Sequence, residues 1–171
     1  MTLKIRKIEK QGGCLKSKKV LDMQITVEIS VYNLVDEELA KLGIKRADEV
    51  RTVKVPAVVD SGATTLTLPE DIVEQLGLRL VRQVRTRYAD GRVTKKWIAS
   101  GARVELLGRS ATTDVIVEKK GTKPLLGHVP MELMDLTIDP KMGNIKPREE
   151  SPDIPLIEQL SISSESLTNI I

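Results

Sequence analysis

The chain has 171 residues, 40% apolar and 30% charged, with a net charge of +3; a soluble globular protein with one sizeable core and some extra chain at the ends is expected. A single cysteine, Cys14, excludes an intramolecular disulfide, and no apolar stretch approaches the ~20 residues of a membrane helix. Phe is absent and Trp97, Tyr32 and Tyr88 are the only aromatics, so the core must be built from Val, Ile, Leu and Ala, whose β-branched members favour strands.

Residues 1–20 hold seven Lys/Arg and one Glu. Charges at Lys4, Arg6, Lys7 and Lys10 leave no apolar h-region for a signal peptide, so a cytoplasmic location is the expectation. No nucleic-acid-binding signature accompanies this basic segment, and nucleic acid is not expected as a partner. Residues 23–33 alternate, with Met23, Ile25, Val27, Ile29 and Val31 on one face, which predicts a half-buried strand. Residues 35–50 lose the alternation; Val35, Leu39 and Leu42 fall at helical spacing, and Gly43 ends that helix. Strand character returns over 51–59, where Pro56 must turn its missing N–H away from a partner or sit at a bulge. Pro69, Glu70, Asp71 and Gly77 frame a short helix. Strands are expected at 80–88 and 93–98, joined by Ala89-Asp90-Gly91-Arg92 in a type I′ turn with positive φ at both central residues. Further strands are expected at 102–107 and 111–118 with Gly108 between them. A short apolar segment Lys123–His128, a helix over 130–135 and a hairpin LTIDPKMGNIKP follow.

Residues 148–171 hold one Arg and five acids and read as a flexible acidic tail or an arm that orders on contact. Their apolar clusters, Ile154-Pro155-Leu156-Ile157 and Ile170-Ile171, suit a cleft or a dimer interface. The expected organisation is a basic segment 1–20, one domain over 21–147, and the tail 148–171.

Chemistry concentrates at Asp60-Ser61-Gly62-Ala63-Thr64. The apolar run Val55–Val59 leads straight into it and delivers a carboxylate to a turn at the edge of the core. Asp-Ser-Gly alone is a common turn. Here a glycine-tipped hairpin follows at Asp90-Gly91, and Leu125-Leu126-Gly127 follows further on. With VVDSGATTLTLPEDIVEQLGL, YADGRV and PLLGHVPMELMDLTIDPKMGNI, the chain resembles the retropepsin-like (retroviral-type, clan AA) aspartic proteases over about residues 23–147. The small cellular single-domain members are the nearest in pattern.

That resemblance implies an all-β fold with one or two short helices: a closed β-barrel of the acid-protease type, one lobe per chain, active as a homodimer on a peptide or protein substrate with no cofactor or metal. It implies that Asp60 is catalytic, with Ser61, Gly62, Ala63 and Thr64 supporting the loop. Ser61 would bond the opposite loop, Ala63 would form a substrate-facing floor, and Thr64 would bond substrate backbone or the loop itself; retroviral members carry an acid at that step. Tyr88, Ala89, Asp90, Gly91 and Arg92 would form a flap over the substrate, with Tyr88 either over the site or in a core or surface role. Leu125, Leu126, Gly127 and His128 would thread behind the catalytic loop in the ψ-shaped motif. His128, without a Ser, Cys or metal cluster beside it, reads as a structural hydrogen-bonding group.

The chemistry accounts for a paired carboxylate. Two carboxylates ~3 Å apart repel by about 5 kcal/mol at an effective dielectric of ~20, so one keeps its proton while its neighbour ionises. The ionised group can then activate water while the protonated one serves the scissile carbonyl. The chain has one such loop, so the second Asp60 must come from a second molecule. The alternative is a non-catalytic peptide-binding or dimerisation module on the same fold. Asp36, Glu37, Glu38, Asp71, Asp90, Asp114 and Asp139 lack metal-ligand spacing and read as surface, capping or turn residues. Arg79, Arg82, Arg85 and Arg87 read as a solvated strand face, with an acidic-substrate groove as the second reading.

Overall fold

Alternation along β1 (Thr26–Asn33) buries Val27, Ile29 and Val31 and leaves Glu28 exposed, as period-2 patterning dictates. The computed structural model describes residues 24–139 and 142–157. The basic segment 1–20, Cys14, Met23 and Ile170-Ile171 lie outside them.

Strand β1 pairs antiparallel with β2 (Thr52–Val59), from Thr26↔Val58 to Tyr32↔Thr52. Val59 N–H donates to Ile25 O and Asn33 N–H to Arg51 O, so the odd residues of β2 turn their backbone toward β1. Pro56 therefore presents its nitrogen to the opposite edge. There the next strand, β7 (Leu125–Leu126), pairs only with Val58 and Val59, and no ladder bond is lost.

Beyond β2 come β3 (Leu66–Pro69), helix α2 (Glu70–Leu76), β4 (Arg79–Arg87), β5 (Val93–Leu106) and β6 (Arg109–Glu118). The sheet runs β1-β2-β7-β3-β6-β5-β4, and β1 also pairs with β5. Six strands thus close a barrel, and β4 hangs from β5 as an edge. The core is aliphatic: Ile29, Val31, Leu66, Leu68, Leu76, Val104, Val115 and Leu126 are all under 2% exposed.

Two expected strands, 93–98 and 102–107, are one 14-residue strand. It serves two neighbours along one edge, β4 up to Ser100 and β1 from Ala102. The switch occurs at a bulge between Ala99 and Ala102, where Gly101 adopts φ 89°; glycine takes that conformation without the Cβ penalty. The type I′ expectation at Asp90-Gly91 is also corrected. Only Gly91 has positive φ, 84°, and its N–H donates to Tyr88 O while Tyr88 N–H donates to Arg92 O. That is a three-residue loop ending in a left-handed glycine. Positive φ at both central residues occurs instead at Leu107 and Gly108, between the paired Leu106 and Arg109.

Helix α1 (Leu34–Lys41) and a 3-10 turn at Ala47–Glu49 fill the segment before β2. The apolar spacing expected to seat the helix does not do so: Val35 and Leu42 are exposed. Polar anchors do, and Asp36, expected at the surface, is 2% exposed. Asn33 Oδ1 caps the helix by accepting Asp36 N–H at 3.1 Å, and its Nδ2 donates to Leu76 O at 2.9 Å. Arg51 Nε and Nη2 reach the Asp36 carboxylate at 2.6 and 2.9 Å, and Lys45 Nζ lies 2.8 Å away. The Arg51 guanidinium crosses the end of α2 so closely that a Cβ on Gly77 would fall 1.6 Å from Nη1. Glu37, also expected at the surface, is bound bidentately by Arg103 at 2.7 Å, and Arg103 stacks on Tyr32 at 4.2 Å.

The chain closes with α3 (His128–Leu133) and the hairpin β8 (Leu136–Asp139) and β9 (Asn144–Pro147). Helix α3 starts two residues before the expected position; Pro130 falls in its first turn, where a missing N–H is no loss. Residues 148–157, part of the segment read as a flexible tail or an arm that orders on contact, return to Asp135. Its carboxylate accepts from Arg148 Nε at 3.0 Å, Leu156 N–H at 2.9 Å and the Ser151 hydroxyl.

The Arg51 hydrogen bonds hold the Asp36 carboxyl well below the usual carboxylate range, against the opposing push of burial. A depressed folded pKa contributes stability above the unfolded value and loses it as pH falls. Asp36→Asn is therefore expected to destabilise the fold by about 2 kcal/mol near neutrality, read by urea unfolding. The gap to wild type narrows as pH drops below about 4.

Candidate active site

Strand β2 ends at Val59 and hands the chain to Asp60, whose side chain is exposed. The loop turns tightly: Ala63 N–H donates to Asp60 O at 3.1 Å, and Gly62 N–H donates to Asp60 Oδ1 at 2.9 Å. A Cβ on Gly62 would sit 3.2 Å from that oxygen, a tight contact that would crowd the carboxylate. One Asp60 oxygen is thereby held by the amide of its own loop. Ser61 and Thr64 are exposed beside it and Ala63 is half-buried.

The loop is held from behind by residues over 60 positions later in the chain. Strand β7 lies parallel to β2 and antiparallel to β3, with Thr67↔Leu125. Asp60 N–H donates to Leu126 O at 3.1 Å, and Val58 N–H to Pro124 O at 2.8 Å. On the far side of the turn, His128 N–H donates to Ala63 O at 2.9 Å and Val129 N–H to Thr64 O at 3.1 Å. Between them, Gly127 packs against bare backbone. A Cβ there would fall 2.5 Å from Thr65 O, 2.6 Å from Ala63 O and 2.7 Å from Thr65 N. The His128 ring adds a contact of Nδ1 to Ala63 O at 3.0 Å.

Two contributors had no sequence signal beyond a threonine at each place. Thr65 Oγ1 lies 2.7 Å from both Thr113 Oγ1 and Asp114 O. These contacts tie the exit of the loop to β6, and only the register of β3 on β6 brings the two threonines together.

The hairpin residues do not join this cluster. Asp90 Oδ1 accepts Arg92 N–H at 3.0 Å and its Oδ2 accepts Arg92 Nε at 2.6 Å, so the tip binds itself. Tyr88 is pinned at the neck: its hydroxyl donates to Glu118 Oε1 at 2.6 Å, beside Lys96 Nζ on Oε2 at 2.6 Å. Burial alone would raise the Glu118 carboxyl; the Lys96 and Tyr88 hydrogen bonds outweigh it and lower it instead. Among the described residues, no group of three or more His, Cys, Asp or Glu side chains is placed to hold a metal ion, and no helix is long and apolar enough to cross a membrane.

A closed six-strand barrel with an Asp-Ser-Gly loop threaded by a β7 segment defines a retroviral-type acid-protease lobe. Residues 40–131 match the family described as "gag-polyprotein putative aspartyl protease". The match spans more than half of the sequence, and the chain belongs to this family, with its retropepsin-like fold. Among curated proteins no sequence matches. Among solved structures, the EIAV protease in complex with the inhibitor HBY-793 is similar over 68% of this chain and 92% of its own, at 13% identity and a TM-score of 0.44.

Gly127→Ala is expected to displace the loop backbone and lower stability by about 1–3 kcal/mol, measured as a fall in thermal midpoint. An unchanged midpoint would mean that the 127–129 segment does not brace Asp60.

Proposed function

We propose that this chain is an aspartic endopeptidase whose catalytic centre forms when two copies face each other, each contributing Asp60. The supporting observation is the presentation of Asp60: an exposed carboxylate with one oxygen held by the Gly62 amide at 2.9 Å, on a loop braced by backbone hydrogen bonds from both sides. Each lobe offers a single Asp-Ser-Gly loop. A two-fold axis through that loop sets the pair of carboxylates side by side.

At such separation the two cannot both ionise, and they hold one proton between them. The ionised Asp60 takes a proton from a water, which attacks the scissile carbonyl carbon. The protonated Asp60 of the partner subunit donates a hydrogen bond to the carbonyl oxygen as charge develops there. The tetrahedral intermediate collapses as its C–N bond breaks, and a carboxyl proton passes to the leaving nitrogen. Ser61, exposed beside Asp60, would bond the opposing loop. The β4–β5 hairpin would act as the flap over the bound peptide, with Gly91 supplying freedom at its tip.

Asp60→Asn is expected to fold and dimerise as wild type does while peptide cleavage falls by about 10⁴-fold. Wild-type activity is expected at acidic to mildly acidic pH and is blocked by pepstatin-type inhibitors. Mixing wild type with equal Asp60→Asn and allowing subunits to exchange leaves about one quarter of dimers with two aspartates. A fall of about twofold in activity per wild-type subunit, beyond simple dilution, is the signature of a shared centre. Cleavage surviving in Asp60→Asn, or a protein that is monomeric while fully active, would overturn this reading.

A further inference from the structure

The two faces of the β4–β5 hairpin differ. Across the ladder Gln83 pairs with Trp97, Arg85 with Lys95 and Arg87 with Val93. Strand alternation places these six residues on one face, continuous with the core face at the fully buried Ala99. On the opposite face Val84, Thr86, Thr94, Lys96 and Ile98 are half-buried or buried, while Arg82 is exposed and pairs with Asp114; the Tyr88–Glu118–Lys96 cluster packs on this side. On the first face the side chains stand open among the described residues: Val93 is 51% and Trp97 43% exposed, and Gln83, Arg85, Arg87 and Lys95 are exposed as well.

This face is strongly cationic. Of its six residues Arg85, Arg87 and Lys95 are cationic and none is acidic, in a chain whose net charge is +3. Arg82 pairs with Asp114, Arg92 with Asp90 and Lys96 with Glu118. Among the described residues no carboxylate lies within ion-pair distance of Arg85, Arg87 or Lys95. Arg85 stands directly opposite Lys95, and like charges so placed destabilise a hairpin. Protection of an edge strand calls for charge, but not for like charges facing each other across the ladder. An anionic partner would remove the repulsion.

We propose that this face binds an extended acidic segment of the peptide substrate, with acidic side chains at alternate positions on Arg85 and Arg87, and Lys95 beside them. The proposal rests on the peptidase reading above. Same-face side chains on a strand repeat every ~6.7 Å. An extended peptide has that same repeat, so acids at i and i+2 match the arginines and acids at i and i+1 do not. Trp97 offers a flat apolar surface to a neighbouring side chain. A single-stranded nucleic acid is disfavoured because such binders stack successive bases on several aromatics, and this face has one.

The test is binding to full-length Asp60→Asn, which separates docking from cleavage. Fluorescein-labelled extended peptides carrying Glu-x-Glu, the permuted Glu-Glu-x, or Lys-x-Lys are compared by anisotropy at low salt. Glu-x-Glu is expected to bind about tenfold tighter than Lys-x-Lys, from two or three exposed ion pairs, and measurably tighter than Glu-Glu-x. The advantage should shrink with added salt. In the Arg85→Glu/Arg87→Glu variant the preference should vanish or reverse. Folding is not expected to suffer there, because Glu at 85 faces Lys95; the thermal midpoint checks this. Should that variant unfold, Arg85→Gln/Arg87→Gln removes the charge without reversal and must lose the preference.

Equal binding of all peptides, or a preference unchanged in a folded variant, overturns the proposal. So does tighter binding of a single-stranded oligonucleotide of matched charge. If Asp60→Asn prefers Glu-x-Glu but wild type cleaves no peptide, the peptidase reading fails and the docking face stands. If wild type cleaves peptides with no acidic preference in binding, the reverse holds.

Discussion

The structure depends on a set of backbone hydrogen bonds between the turn after β2 and the segment around Gly127. Asp60 and Val58 donate to Leu126 and Pro124, while Ala63 and Thr64 accept from His128 and Val129. A turn held only by its own residues would fray, because a surface loop has little packing to oppose its conformational entropy. Here the loop is clamped on both sides of the carboxylate. The clamp closes only because Gly127 lacks a side chain, so its backbone can lie against Ala63 and Thr65. The acid is thus exposed while its backbone is as well satisfied as that of an interior strand.

The barrel supports this clamp by dividing the work of β5. Past the bulge at Gly101 that strand joins β1 and closes the ring; before the bulge it carries β4 outward as a hairpin. The polar brace of Asn33, Asp36, Arg51 and Gly77 locks the segment before β2 to the end of α2. Both ends of the strand that delivers Asp60 are therefore fixed: its start by a buried carboxylate and its end by the clamp. An aliphatic core with no phenylalanine suffices because the short strands interleave β-branched and leucine side chains at close spacing.

Much of this was legible in the sequence. Alternation located β1, the proline-to-glycine frame located α2, and apolar Val55–Val59 running into Asp-Ser-Gly located the strand and turn that present Asp60. What escaped depends on partners far away in the chain. Asp36 looked like a surface acid, because nothing local reveals that Arg51 and Lys45 converge on it. The Asp90-Gly91 pair suggested a two-residue turn, yet the pairing of Tyr88 with Arg92 makes a three-residue loop. Leu107 adopts a left-handed conformation that its side chain argues against; the ladder on either side imposes it. Thr65 and Thr113 are ordinary threonines until the register of β3 on β6 sets their hydroxyls 2.7 Å apart. Tyr88, weighed between the site and other roles, bonds to Glu118 at the hairpin neck.

The clamp on Asp60 also has a consequence in time. Its two halves are separated by more than 60 residues, and contacts of long sequence separation form late in folding, after the entropy of closing the loop has been overcome. During synthesis the chain emerges from its N-terminal end, so the aspartate leaves the ribosome long before Leu126, His128 and Val129 exist to hold it. A growing chain carries the carboxylate on an unbraced turn until the last third of the domain arrives. Completion of the lobe, and not the appearance of the residue, is the event that fixes the carboxylate in place.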